Sequence, residues 1–187
     1  MSNFTKPAIM DSFIRLSQQM PIDKITVTKI TKECGINRNT FYYYYNDVYD
    51  LLDEIIYTKM QKLFVIDENN YDDSWKASLR LIGHYAVKNE EFIKVLYHSM
   101  GRDAFGDKLT SIAEEPIRKT MMVYADRKEA TEEDIKGVAY VFAKAFAETA
   151  VEWIRGRLKG TPVEIMENVI NALGNVPDII IKNISKK

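Results

Sequence analysis

Residues 25–47 read ITVTKITKECGINRNTFYYYYND, and this stretch decides the fold. Thr26 is a typical N-cap residue and Gly35 a typical helix terminator, which predicts a short helix between them. Three apolar residues at helical spacing give this helix its buried face: Val27, Ile30 and Cys34. A second helix follows directly, because Asn37 is a favoured cap for residues 38–44. Two short helices joined by a glycine turn are typical of a helix-turn-helix.

The second of these helices divides its side chains between two faces. Phe41 and Tyr45 lie four residues apart, so both can pack against the first helix. Four other side chains are then left on the outer surface: Arg38, Asn39, Tyr42 and Tyr43. Arg and Asn can pair with base edges in the major groove, so this surface is a candidate for DNA contact. Helix-turn-helix spacing also occurs by chance in all-α proteins. The alternative is then that the tyrosines only cover a core.

Composition and charge limit the possible classes of protein. The chain has 187 residues and a net charge of −1, which gives no general attraction to nucleic acid. Residues 24–45 nevertheless carry a local excess of positive charge: Lys24, Lys29, Lys32 and Arg38 against Glu33. The one cysteine excludes an internal disulfide framework. Nothing resembles a signal peptide or a membrane span, so we expect a cytoplasmic protein that makes no membrane contact.

Helical periodicity continues along the whole chain and predicts an all-α fold of about nine helices. We expect an N-terminal three-helix bundle with the helix-turn-helix over residues 1–46. The rest, residues 47–187, is expected to form a helical dimerisation and effector-binding domain, with a connecting helix over residues 47–66. Further helices are predicted at about 75–88, 90–100, 107–124 and 132–157, followed by one that a Thr161–Glu164 capping box opens.

The helix predicted over residues 132–157 carries two apolar faces, one of which consists of small residues: Ala139, Ala143, Ala147 and Ala150. One face is enough for a core, so the second predicts a close neighbouring helix, which we expect in a second subunit. We extend this expected dimer contact to the apolar face of the last helix: Met166, Val169 and Ile170. The alternative is that the helix is buried inside a single chain.

No constellation for catalysis or metal binding is visible. His84 and His98 are too far apart for one helical face, and neither a P-loop nor a His-Glu-x-x-His motif occurs. We therefore expect no enzyme activity, no metal and no cofactor. Seven residues are candidates for lining an effector cavity: Tyr85, Tyr97, His98, Arg102, Tyr124, Phe142 and Trp153. The alternative is that most of these seven are ordinary core and rim.

Residues 25–47 closely resemble the DNA-binding segment of the TetR/AcrR family of bacterial regulators. The most specific matches are GIN at positions 35–37 and TFY at positions 40–42, and the resemblance extends over about residues 7–56. It implies an all-helical homodimer that binds double-stranded DNA at a palindromic operator. It also implies that transcription is usually repressed until a small molecule, here unidentified, binds the C-terminal domain.

The resemblance implies DNA contacts for ten residues: Thr26, Thr28, Lys29, Asn37, Arg38, Asn39, Thr40, Tyr42, Tyr43 and Tyr44. It assigns phosphate contact to Thr26 and Thr28, and base contact to Arg38 and Asn39. The sequence departs from the family at Val48, where the family usually has a lysine that binds phosphate. It also departs at Thr31, where the family commonly has an alanine packed against the recognition helix.

The C-terminal half resembles the branch of the family that includes regulators of dihydroxyacetone kinase operons, through a pattern of Phe142, Phe146, Trp153, Gly156 and Pro162. Together these features predict a DNA-binding repressor that a small-molecule effector releases from its operator. The alternative is a co-activator of the same fold that acts through a partner protein with weak or no DNA binding. Val48 and the low net charge favour that alternative.

Overall fold

The part of the chain that this computed structural model describes contains nine α-helices and one 3₁₀ turn, at Ile22–Lys24. This confirms the all-α fold. The helices are α1 (Thr5–Ser17), α2 (Val27–Cys34), α3 (Arg38–Tyr44), α4 (Val48–Gln61), α5 (Tyr71–Lys88), α6 (Glu90–Met100), α7 (Arg102–Ala125), α8 (Glu132–Ile154) and α9 (Pro162–Leu173). The described residues are 4–65, 67, 71–125, 131–176, 179, 180 and 183, without the side chains of residues 71–73 and 124. None of the described helices is long and apolar enough to cross a membrane.

Side-chain caps determine where several helices begin. Thr26, Asn37 and Thr161 each accept a hydrogen bond from the backbone N–H three residues on, at 2.8–3.3 Å. The Glu164 carboxylate in turn accepts from the backbone N–H of Thr161 at 2.7 Å, which completes the predicted capping box. The predicted starts of α2, α3 and α9 are therefore confirmed.

Residue contacts divide the chain into two units. The first comprises Met1–Lys59 with Glu91–Ser99, and the second comprises Met60–Glu90 with Met100–Lys187. The boundary expected at residue 46 falls inside the first unit, which also contains most of α4 and α6. Leu51 and Ile55 on α4 are completely buried.

In the first unit, the helix-turn-helix has its own core. Phe13 of α1, Ile30 of α2 and Phe41 of α3 are completely buried. The structure corrects the expected face of α2 at its last turn, where Thr31 is buried and Cys34 is partly exposed. Thr31 can be buried because its hydroxyl donates to the carbonyl of Thr28 at 3.2 Å, which satisfies the polar group.

In the second unit, α7 packs against α8 and α5 packs against α9. Gly83 allows α5 to approach α9 closely, because a Cβ there would lie 3.1 Å from the carbonyl oxygen of Pro162. Ion pairs link the helices of these two pairs, among them Arg80–Glu167, Arg102–Glu148, Lys144–Asp107 and Arg118–Glu132. This packing forms the walls of the cavity described below.

Candidate nucleic-acid interface and apolar cavity

The turn between α2 and α3 is held by its backbone. Gly35 has a φ of 70°, a conformation that glycine adopts without strain. The next residue, Ile36, donates its N–H to the carbonyl of Thr31 at 3.0 Å. The Asn37 carboxamide oxygen then accepts from both the N–H and the hydroxyl of Thr40, at 2.8 and 3.1 Å. These bonds fix the start and direction of α3.

The two faces of α3 are divided as the spacing predicts. Phe41 is completely buried, whereas the exposed fractions of Tyr42 and Tyr43 are 48% and 68%. Arg38 and Asn39 are exposed at the start of the same helix. The side chains expected to read DNA therefore share one open surface, which we call the α3 face: Arg38, Asn39, Tyr42 and Tyr43.

Arg38 and Tyr42 interact on successive turns of α3. The Arg38 guanidinium donates to the Tyr42 hydroxyl at 3.3 Å, and its central carbon lies 5.9 Å from the centre of the Tyr42 ring. Hydrogen bonding together with cation–π contact restricts the rotamers of an arginine. The arrangement holds the Arg38 side chain over the α3 face before any DNA binds.

The residues expected to contact phosphate differ in how they are placed. Thr26 and Thr28 are exposed at the start of α2. The Lys29 ammonium already donates to the carbonyl of Lys24 at 2.9 Å and lies 3.4 Å from the Met20 sulfur, which limits its reach. Tyr44 is only partly exposed, with its ring centre 4.9 Å from that of Tyr43.

The N-terminus of α4 is occupied by carboxylates. Asp47 is its cap, because one carboxylate oxygen accepts from the N–H groups of Tyr49 and Asp50, both at 2.8 Å. The Asp50 carboxylate accepts two bonds from Asn46 at 3.0 Å, one from its backbone and one from its side chain. Val48 lies partly buried between these acids. The first turn of α4 therefore presents negative charge where the family usually has a lysine.

Tyr45 ends the cluster of tyrosines and belongs to the core, with 2% of its surface exposed. Burial and the neighbouring Glu54 raise the pKa of its hydroxyl, which keeps the side chain neutral. The Lys6 ammonium lies 2.6 Å from the Glu54 carboxylate and 5.6 Å from the Tyr45 ring centre. This ion pair links α1 to α4, and sequence periodicity gave no sign of it.

The second unit contains a cavity of about 370 Å³. Its aromatic walls are Phe64, Trp75, Phe142 and Phe146, and the rest of its surface is mostly aliphatic or methionine. Three hydroxyl groups line it: those of Ser78, Thr120 and Thr149. No charged side chain is among the described residues that line it, and nowhere in the described chain do three or more metal-ligating side chains come together.

Most of the residues expected to line an effector cavity lie outside the lining of this cavity. Phe142 does line the cavity, but Tyr85, Arg102 and Trp153 of the same unit do not, and Arg102 pairs with Asp103 and Glu148 instead. Two candidates, Tyr97 and His98, lie in the first unit with ring centres 5.4 Å apart. The side chain of Tyr124 lies outside the described residues.

A usable signal for the cavity was present in the sequence. Phe142, Phe146 and Thr149 follow one another at spacings of four and three, which places them on one stripe of α8. All three line the cavity, so the periodic stripe located the wall better than the choice of isolated aromatic and polar residues.

The expected dimer contact is also corrected. Ala139, Ala143 and Ala147 are completely buried within the single chain, where α8 packs against α7, and have no surface left for a second subunit. Met166 and Ile170 on α9 are buried as well, and Val169 lines the cavity. Ala150 is partly exposed. The alternative of a helix buried inside one chain therefore holds for the alanine face.

Comparison with known proteins identifies the C-terminal region of the chain. A family model of the TetR type, described as the C-terminal region of a transcriptional regulator, matches residues 73–175, more than half of the chain. No curated protein matches the chain significantly.

Solved structures of three regulators share the fold. The dihydroxyacetone kinase operon activator DhaS is 21% identical, with a TM-score of 0.69 over 95% of this chain and 98% of its own. The fatty acid degradation regulator FadR from Bacillus halodurans is 14% identical, with a TM-score of 0.62 over 92% and 96%. The TetR family repressor AlkX from Dietzia sp. strain DQ12-45-1b is 13% identical, with a TM-score of 0.55 over 92% and 97%.

Identities this low indicate a common fold and say nothing about ligand or target genes. The match of the C-terminal family model agrees with the helix-turn-helix that α2 and α3 form at the other end of the chain. The chain belongs to the TetR family of transcriptional regulators.

Proposed function

We propose that the protein binds a palindromic operator as a homodimer and reads it with the α3 face. The observation that carries this proposal is the exposure of Tyr42 and Tyr43 beside Arg38 on a helix whose opposite side is buried. Exposed aromatic side chains next to a guanidinium suit apolar contact with thymine methyl groups and bidentate contact with guanine. A dimer would present two such faces to two half-sites.

We further propose that the protein is a repressor released by a small molecule in the cavity of the second unit. An effector that binds one dimer geometry better than another shifts the population towards that geometry. If the favoured geometry no longer matches successive major grooves, the operator is released. The names of the three similar structures include both an activator and a repressor, so they favour neither sign of regulation.

One observation favours the co-activator alternative. Asp47 and Asp50 occupy the N-terminus of α4, and Val48 stands between them without a positive charge. A helix N-terminus that is already satisfied by carboxylates offers little to a DNA phosphate. In the co-activator alternative, a protein whose α4 N-terminus does not bind phosphate relies on a partner protein to associate with DNA.

A gel-shift titration with the DNA upstream of its own gene distinguishes the two. We expect the purified wild-type protein to shift the fragment without a partner protein. Footprinting on the same fragment should show two protected half-sites about 10 base pairs apart. Arg38→Ala should weaken the shift, whereas Lys88→Ala, an exposed charge removed from α5 in the other unit, should not. A shift that appears only after a partner protein is added would contradict the proposal in favour of the co-activator.

The sign of regulation needs a separate measurement in cells. A reporter placed behind the protected fragment should be more active when the gene for this protein is deleted. Lower activity after deletion would identify an activator and overturn the repressor assignment.

A further inference from the structure

We infer that the cavity of the second unit selects neutral, largely apolar molecules that carry a hydrogen-bond donor such as a phenolic or alcoholic hydroxyl, and that it rejects carboxylates. The inference rests on the proposed function only in taking the bound molecule to be the effector. It follows from how the polar groups of the walls are already used.

The two threonines in the walls can only accept hydrogen bonds from a ligand. Thr120 donates its hydroxyl proton to the carbonyl of Pro116 at 2.9 Å, and Thr149 donates its proton to the carbonyl of Ala145 at 2.8 Å. A hydroxyl has one proton and two lone pairs, so what each still offers is a lone pair. A ligand hydroxyl can donate to either oxygen without breaking an existing bond.

The third hydroxyl is used in both directions. Ser78 donates to the carbonyl of Ser74 at 2.9 Å and accepts from the backbone N–H of Val65 at 2.8 Å. Ser78 therefore holds the chain that leads into α5 and contributes less to a ligand than Thr120 and Thr149 do.

A carboxylate has no partner of opposite charge among the described lining residues. Their side chains include a single N–H donor, the indole of Trp75, which is too few to replace the water that a carboxylate loses on entry. Cations that neighbour lining residues in the sequence do not line the cavity themselves. Among them, the Arg118 guanidinium pairs with Glu115 and Glu132. The Lys76 ammonium lies 5.6 Å from the centre of the Trp75 ring. Burying an unpaired charge in such walls is strongly unfavourable.

The volume and the wall chemistry also exclude small polyols. A cavity of about 370 Å³ has the volume of roughly a dozen water molecules, at about 30 Å³ for each water in the liquid. A three-carbon polyol would lose the water around its hydroxyl groups while filling only part of a largely apolar space. The four aromatic walls suit a flat apolar molecule instead.

Calorimetric titration of the full-length protein with three matched naphthalenes tests the inference. We use 2-naphthol as the neutral donor, 2-methoxynaphthalene as the neutral molecule without a donor, and 2-naphthoate as the anion. We expect 2-naphthol to bind, 2-methoxynaphthalene to bind about threefold to tenfold more weakly, and 2-naphthoate to bind at least about a hundredfold more weakly.

Substitution of the threonines locates the effect. Thr120→Val and Thr149→Val keep the shape of the side chain, and at least one of them should weaken 2-naphthol binding about threefold to tenfold while leaving 2-methoxynaphthalene unchanged. Thr110→Val is the matched control, because Thr110 is a buried threonine of α7 that makes the same bond to the carbonyl four residues before it but does not line the cavity. The control should leave the affinity for 2-naphthol unchanged.

Equal affinity for 2-naphthol and 2-naphthoate, unchanged 2-naphthol binding in both lining variants, or no binding of any probe to the folded protein would each overturn the inference. Operator titrations on the same preparation distinguish failure of the inference from failure of the proposed function. If the operator is bound but 2-naphthol is not, the inference fails and DNA binding stands. If 2-naphthol binds with the expected threonine dependence but operator affinity does not change, the selectivity stands and the effector role fails.

Discussion

At the scale of single residues, Arg38 is the side chain from which we expect most sequence discrimination. The Tyr42 hydroxyl and ring hold its guanidinium over the α3 face. Arg38→Ala should relax specificity at one operator position by about 1–3 kcal/mol, because one base-edge contact is lost. Titrations against operator variants with single base changes measure this. Unchanged discrimination at every position would contradict the assignment of Arg38 as a base-reading residue.

Val48 allows a second prediction at this scale. Val48→Lys adds a cation at the first turn of α4, where Asp47 and Asp50 now present negative charge. We expect tighter binding to any duplex and a salt dependence steeper by about 0.9 per added phosphate contact, or about two for a symmetric dimer. Tyr57→Lys, at an exposed position two to three turns further along α4, is the matched control.

A salt series with one operator and one scrambled duplex measures the effect of Val48→Lys. Wild-type affinity and slope on both duplexes would mean that α4 does not approach the DNA backbone. The co-activator alternative would then be favoured.

At the scale of elements, the capping box of α9 makes stability depend on pH. Hydrogen bonds from the backbone and hydroxyl of Thr161 lower the pKa of Glu164 below its ordinary value of 4.5. A lowered pKa in the folded state means that this stabilisation is present at neutral pH and is lost as pH falls through the folded pKa. Glu164→Gln should therefore lower Tm near neutral pH, and the loss of Tm should become smaller as the pH is lowered below 4.5. The same loss of Tm at every pH would contradict this role.

Thr161→Ala tests the other half of the capping box. Loss of the side-chain cap should reduce the free energy of unfolding by about 1 kcal/mol. Denaturant unfolding measures this change. An unchanged free energy would show that the start of α9 does not depend on the Thr161 hydroxyl.

Substitution by glutamate should have different effects at an exposed and at a buried position of α8. Val141 of α8 is exposed over 64% of its surface, while Ala143 of the same helix is completely buried. We propose that the exposed side forms the dimer contact. Val141→Glu should then give folded monomers, and Ala143→Glu should destabilise the chain by burying an unpaired charge. Sedimentation and circular dichroism separate the two outcomes, with Val87→Glu on α5 as the exposed control; a dimeric Val141→Glu variant would move the contact elsewhere.

The sequence predicts a structural feature well when the contacts that stabilise that feature are local in the chain. Thr26, Asn37 and Thr161 were found correctly as caps because a cap is satisfied within three residues of itself. The alanine face of α8 was expected at a second subunit and is buried within the chain, because periodicity shows that a face is buried but not whether its partner belongs to the same chain. Apart from Phe142, the cavity walls were missed for the same reason, since α5, α7, α8 and α9 meet only through tertiary packing.

At the scale of the whole molecule, the α3 face lies in the first unit and the cavity lies in the second. Control of DNA binding by a ligand therefore requires a coupling free energy between two distinct sites. This coupling is reciprocal. If the ligand changes the affinity for the duplex by some factor, the duplex must change the affinity for the ligand by the same factor.

The central claim is that the α3 face reads a DNA sequence, and the most direct test is the ratio of two affinities. The protein is titrated into its labelled upstream duplex and into a scrambled duplex of equal composition, both at about 0.15 M salt. We expect the upstream duplex to bind at least about a thousandfold more tightly, with two chains per duplex, and the ratio to fall in Arg38→Ala. Equal affinity for the two duplexes, or a ratio that Arg38→Ala leaves unchanged, would contradict the account.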